Sequence, residues 1–176
     1  MRALCFVLIC ALAGFAQQPA AGRPAEPQQL AAREFGPGFT ADPKIPALFG
    51  DLDADGQEDA VIVASAKNPL TNAAEFHYTP IDPYDAYFGF GDPKITVQFS
   101  ATNASETRYV LVIHNWRAPQ AKFVIVNLPF DKLSLGRASM KKKTVITIHA
   151  DEAGGLASDV YWNGKKYKWE PAYFSE

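Results

Sequence analysis

After residue 47 every apolar run in this chain is short, and each ends at a cluster of Pro, Gly or Asn. Thirteen Pro and twelve Gly in 176 residues leave little room for long helices. Asp59 to Ala64 is a brief run rich in β-branched residues. Lys94 to Ser100 alternates, with Ile95, Val97 and Phe99 on one side and Thr96, Gln98 and Ser100 on the other. Arg108 to His114 and Lys122 to Leu128 are nearly continuous apolar runs suited to central strands, and Thr144 to His149 is a further strand. Short strands separated by turn residues predict a mainly β domain, a compact antiparallel sheet or sandwich.

The sharpest local pattern is Asp159 to Trp162, then Asn163 and Gly164, then Lys165 to Trp169. Asn-Gly suits a two-residue type I′ turn, whose central residues both need positive φ. That register pairs Trp162 with Lys165, Val160 with Tyr167 and Ser158 with Trp169. It puts Val160, Trp162, Tyr167 and Trp169 on one face and sets Asp159 opposite Lys168. Two stretches show no strand period. Asn68 to Gly91 is rich in aromatics and prolines and reads as an ordered loop. Pro129 to Lys143 carries Lys141, Lys142 and Lys143, a run that reads as a solvated strand entrance.

The N-terminus predicts export. Arg2 is followed by an unbroken apolar or small segment from Ala3 to Phe15, and Gly14 and Ala16 supply small residues before the polar Gln17. Residues 1–16 therefore read as a signal peptide cut after Ala16. Thirteen apolar residues would span about 20 Å as a helix, short of a hydrocarbon core of roughly 30 Å, so no membrane span is expected in the mature chain. Both cysteines, Cys5 and Cys10, fall in this segment, so disulfides and zinc–thiolate sites are excluded from the mature protein. Residues 17–34 are rich in Ala, Gln and Pro and predict a flexible spacer, with a single helical turn over Leu30 to Phe35 as the alternative at its end. Residues 35–176 predict a single β domain. The formal charge of −2 gives no basic field for a nucleic-acid partner.

One segment carries chemistry. Asp51, Asp53, Asp55, Gly56 and Asp59 form D-x-D-x-D-G-x-x-D. Calcium prefers six to eight oxygen ligands, and carboxylates at alternate positions can curl around one centre while the glycine permits the turn. Gln57 would add its backbone carbonyl, and Asp59 a fourth carboxylate, directly or through water. Position 12 of the loop is Ile62 rather than a bidentate Glu, and a strand follows, so a helix–loop–helix site is not expected. From Phe49 to Val63 the segment resembles the FG-GAP/VCBS-type calcium loop, a strand–loop–strand element repeated in integrin-type propellers and secreted bacterial proteins. The resemblance implies calcium ligands at Asp51, Asp53, Asp55, Gln57 and Asp59. No second copy occurs, and the chain is too short for a propeller of four-stranded blades. The wider likeness is to small secreted bacterial β proteins.

No nucleophile elbow, zincin motif or phosphate loop accompanies this segment. His77, His114 and His149 are scattered singly and read as ordinary side chains. His77 with Asp82 and Asp85 is the one arrangement that would support acid–base chemistry. The aromatic loop 76–90, with Tyr78, Tyr84 and Tyr87, offers planes for a glycan or a cell-wall-associated protein, although aromatic residues in a small β domain commonly fill the core. The expectation is a secreted or periplasmic, non-catalytic, calcium-binding domain.

Overall fold

The computed structural model describes residues 26–89, 108–140, 143–152 and 154–172. The apolar N-terminal segment read as a signal peptide, the alternating run Lys94–Ser100, and Lys141 and Lys142 lie outside them. Among the described residues the elements run α1 (Pro27–Phe35), β1 (Thr40–Ala41), β2 (Leu48–Gly50), β3 (Asp59–Ser65), α2 (Ala73–Phe76), β4 (Thr79–Ile81) and α3 (Pro83–Tyr87). There follow β5 (Arg108–His114), β6 (Ala121–Ile125), β7 (Lys132–Met140), β8 (Lys143–Asp151), β9 (Ala157–Trp162) and β10 (Tyr167–Pro171).

The strands form two sheets, and the chain is mainly β as its pattern predicts. The first has the order β1-β3-β5-β6-β4, with β2 sharing the outer edge of β3 with β1. All its pairs are antiparallel except β4 with β6. The second is a four-stranded antiparallel meander, β10-β9-β8-β7. Val61 and Val63 of β3, Val110 and Val112 of β5 and Ile125 of β6 pack against Ile148, Val160, Tyr167 and Trp169 of the meander. That is the interior of the sandwich.

The other face of the first sheet is buried too. Ile62, Leu111, Ile113 and Val124 pack under Leu30, Ala31 and Phe35 of α1, with Phe39 and Tyr78. The near-continuous apolar runs of β3 and β5 follow from this, because a sheet covered on both faces has no side to leave polar. The expected spacer over 17–34 is therefore corrected from residue 27 onward. Leu30, Ala31, Glu34 and Phe35 fall at helical spacing on one buried face. Leu30 and Phe35 are fully buried, so the segment has an apolar stripe that its Ala- and Gln-rich composition hides.

Three other expectations change. Residues 68–89, the described part of the stretch read as one loop, hold two short helices and a strand; β4 is recruited by parallel pairing along β6. Within 129–143, Lys132–Met140 is a full strand, because nine successive residues pair with β8. The last hairpin turns one residue later than the Asn-Gly rule places it. Gly164 and Lys165 are central, Gly164 has φ 94°, and the Asn163 N–H donates to the Lys166 carbonyl. Only the first central residue has positive φ, which suits a type II′ turn. Asn163 Oδ1 accepts the N–H groups of Lys165 and Lys166 and holds the turn in that place.

The shifted register pairs Trp162 with Tyr167, Val160 with Trp169 and Asp159 with Glu170. The four core residues keep their common face because the partners move by two. The expected Asp159–Lys168 pair is lost. Asp159 instead accepts from Thr147 Oγ1 at 2.8 Å and lies 3.0 Å from His149 Nδ1, while Glu170 accepts from the Tyr161 hydroxyl.

Candidate metal centre

The acidic segment is the connection between β2 and β3, which pair from Leu48 with Val61 to Gly50 with Asp59. The strand–loop–strand arrangement predicted for it is thus present. Its backbone is curled by its own carboxylates. Asp51 accepts the Asp55 N–H on one oxygen and the Gly56 N–H on the other, at 3.0 and 3.1 Å. Asp53 Oδ1 also accepts the Asp55 N–H, and Asp55 Oδ1 accepts the Gln57 N–H. Gly56 has φ 85° with open space around it, so the turn needs glycine for its backbone and not for room. Ala54, at φ 62°, takes the same left-handed region at a steric cost.

Asp51, Asp53 and Asp55 each bring a carboxylate oxygen to within 4.8 Å of the others. All three ligand atoms are hard oxygens, and Asp55 is open to solvent. This acidic cluster can hold a metal ion, and its donor set fits a hard, partly hydrated cation. Gln57 is exposed on the same loop.

Asp59 occupies a different place from the other three acids. It is fully buried at the head of β3. One oxygen accepts the Leu52 N–H at 2.7 Å and the other the Asn115 N–H at 2.8 Å. Burial pushes its carboxyl above the ordinary range, and the two backbone donors and the neighbouring His114 oppose that rise. Asp59 therefore ties the start of the acidic loop and the turn after β5 to the head of β3.

The residue that sequence reasoning passed over is His114. Strand β5 pairs Ile113 with Ala60, which sets His114 beside Asp59. His114 is 3% exposed. Nδ1 lies 3.1 Å from Asp53 Oδ2, and Nε2 lies 2.7 Å from the Tyr167 hydroxyl on the opposite sheet. Asp53, Asp59 and His114 form a second group whose ligand atoms all lie within 4.8 Å of one another. Asp53 belongs to both groups. Burial, with the charges of Asp59 and Asp53 added, holds the Tyr167 hydroxyl well above its usual range.

The turn after β5 closes over the loop. Trp116 donates from its indole to Glu58 at 2.9 Å and from its backbone to the Glu58 carbonyl. Arg117 pairs with Glu58 at 2.9 Å and stacks on Trp116. Phe49 of β2 meets the other side of this cluster, its ring 5.6 Å from that of Trp116.

The aromatic residues divide. Tyr78, a ligand-binding candidate in the sequence, belongs to the core and donates its hydroxyl to the Pro69 carbonyl at 2.8 Å. Burial pushes that hydroxyl up to about 12. Tyr84 is half-buried against Trp169, and Tyr87 and Phe88 stand exposed beside it. His77 ends α2 in a left-handed conformation and is exposed. Asp82 and Asp85 are engaged elsewhere: Asp82 caps α3 by accepting the Asp85 N–H, and Asn127 donates to both carboxylates. No hydrogen bond or ion pair joins His77 to either acid among the described residues. No helix of the described residues is long and apolar enough to cross a membrane. Comparison with protein-family models, with curated proteins and with solved structures gives no match for this chain.

Proposed function

We propose that the protein is a secreted or periplasmic, non-catalytic domain whose acidic loop binds calcium as a structural ion. The observation that carries this reading is the convergence of Asp51, Asp53 and Asp55 on a loop whose backbone is already folded around them. The Gln57 carbonyl completes the ligand set, and Asp59 holds the base of the loop in place. Calcium accepts such an irregular ring of oxygens more readily than magnesium, which demands near-octahedral geometry. The ion would offset most of the charge of three neighbouring carboxylates and fix the β2–β3 connection from which Val61 and Val63 enter the core.

A ligand that binds only the folded state stabilises it by RT ln(1 + [L]/Kd), about 2.7 kcal/mol at 100 Kd. EDTA is expected to lower the melting temperature by several degrees, and calcium to restore it better than magnesium. Asp55→Ala removes an exposed ligand that holds nothing in the core, so it should abolish the calcium response and leave the fold intact. Calorimetry without heat, and melting without a shift, up to about 10 mM calcium would refute the reading, since extracellular modules bind between about 10⁻⁴ and 10⁻³ M. Export rests on the apolar segment 3–15. Intact mass of protein from its native host should correspond to a chain beginning at Gln17; a cytoplasmic chain retaining Met1 would sink it.

A further inference from the structure

We propose that Asp53, Asp59 and His114 form a second, inner metal site that takes a borderline transition-metal dication, with zinc as its probe. The outer loop offers oxygen alone, whereas this group offers one imidazole nitrogen and two carboxylates. Nitrogen is a poor ligand for calcium and a good one for zinc and its first-row neighbours. Zinc sits about 2.0–2.2 Å from nitrogen and carboxylate ligands, which puts neighbouring ligand atoms roughly 3.4 Å apart in a tetrahedron. His114 Nδ1 and Asp53 Oδ2 are already 3.1 Å apart, and Asp53, Asp59 and His114 each bring one ligand atom to within 4.8 Å of the other two.

The surroundings match what a bound metal requires of its ligands. A metal-binding histidine commonly donates from its second nitrogen to a fixed acceptor. Nε2 of His114 faces the Tyr167 hydroxyl at 2.7 Å, which leaves Nδ1 turned toward Asp53. Both Asp59 oxygens are oriented by backbone donors, from Leu52 and Asn115, and each keeps a lone pair. The ring of His114 is further held among Phe123, Trp162 and Tyr167 at centroid distances of 5.1–5.8 Å.

Charge points the same way. Asp59 is fully buried and the Asp53 side chain is 15% exposed. No Lys or Arg pairs with either among the described residues, so His114 is their one basic neighbour there. A buried carboxylate beside a half-buried one is costly without a cation. A dication between the sheets would balance them.

This site shares Asp53 with the calcium loop but does not depend on it, because Asp51 and Asp55 take no part. The test uses the mature chain stripped of metal, with zinc titrated against a chromophoric chelator at saturating calcium. One zinc per chain is expected. His114→Gln should weaken zinc binding at least about 10–100-fold, the loss seen when even an outer partner of a metal site is removed. Asp55→Ala should lose the calcium response and keep zinc. His149→Gln and His77→Gln should bind zinc as the parent does.

A second readout needs no substitution. With ¹⁵N-labelled histidine, zinc should shift the Nδ1 resonance of His114 and leave its Nε2 protonated toward Tyr167. That result decides the matter if His114→Gln does not fold. Absence of zinc binding, zinc lost through His149→Gln or His77→Gln instead, or an unmoved His114 Nδ1 resonance would each overturn the proposal. In that case Asp53, His114 and Tyr167 form a hydrogen-bonded relay between the sheets and nothing more.

Discussion

Asp59 accepts the N–H of Leu52, seven residues before it, and that of Asn115, fifty-six residues after it. One fully buried carboxylate thus serves two backbone donors. Asp59→Ala leaves both unpaired. At about 1–3 kcal/mol for each buried orphan, the variant should lose roughly 2–6 kcal/mol in urea unfolding. Asp59→Asn, which keeps one acceptor, should lose less; equal losses would mean that the donors are satisfied by other means. The spacing of the acids was legible because local chain geometry sets which side chains a nine-residue loop can gather. It does not tell that Asp59 also tethers two backbone segments, because one of the donors, Asn115, comes from the turn after β5. His114 was not legible at all. Its neighbours come from β3 and β10, and no pattern within Arg108 to His114 encodes the register that brings Asp59 and Tyr167 to it.

Helix α3 shows how one short element carries a pH dependence. Asp82 caps it, accepting the Asp85 N–H at 2.9 Å. Burial, with the Asp85 charge added, raises the Asp82 carboxyl from 3.8 to about 6. The fold therefore favours the protonated acid. Its stabilising contribution is complete below the unfolded value near 3.8 and is lost as pH rises through about 6. Asp82→Asn stays neutral and keeps an oxygen for the cap. Its melting temperature should equal the parent's near pH 4 and exceed it near pH 7.5, and a difference independent of pH would contradict this account. The β9–β10 hairpin teaches a related lesson about elements. Alternation identified the shared face of Val160, Trp162, Tyr167 and Trp169, because a shift of partners by two leaves faces unchanged. It could not fix the partners, which depend on Asn163 bonding to Lys165 and Lys166 instead of occupying the turn.

At the scale of the whole molecule, three layers are stacked: α1 with its flanking segments, the six-stranded sheet, and the meander. Two of these layers follow from strand patterns. The third does not, because a nine-residue helix among Ala and Gln gives a weak signal until the sheet it covers is known. The sheets also differ in how far apart their paired strands lie along the chain. Every pair of the meander joins consecutive strands. In the six-stranded sheet, β3 must find β5, with Ser65 pairing Arg108, and β4 must lie parallel to β6, with Ile81 pairing Ile125. Closing long loops costs entropy before any contact repays it, so distant pairings form late. The C-terminal meander should consequently gain amide protection first in pulse-labelled refolding, and β3 and β5 afterwards; simultaneous protection would argue against it. Until that second stage Asp59 and His114 are separate positions on an open chain. The acidic loop can gather its own carboxylates early, whereas the inner cluster comes into being only when folding is nearly complete.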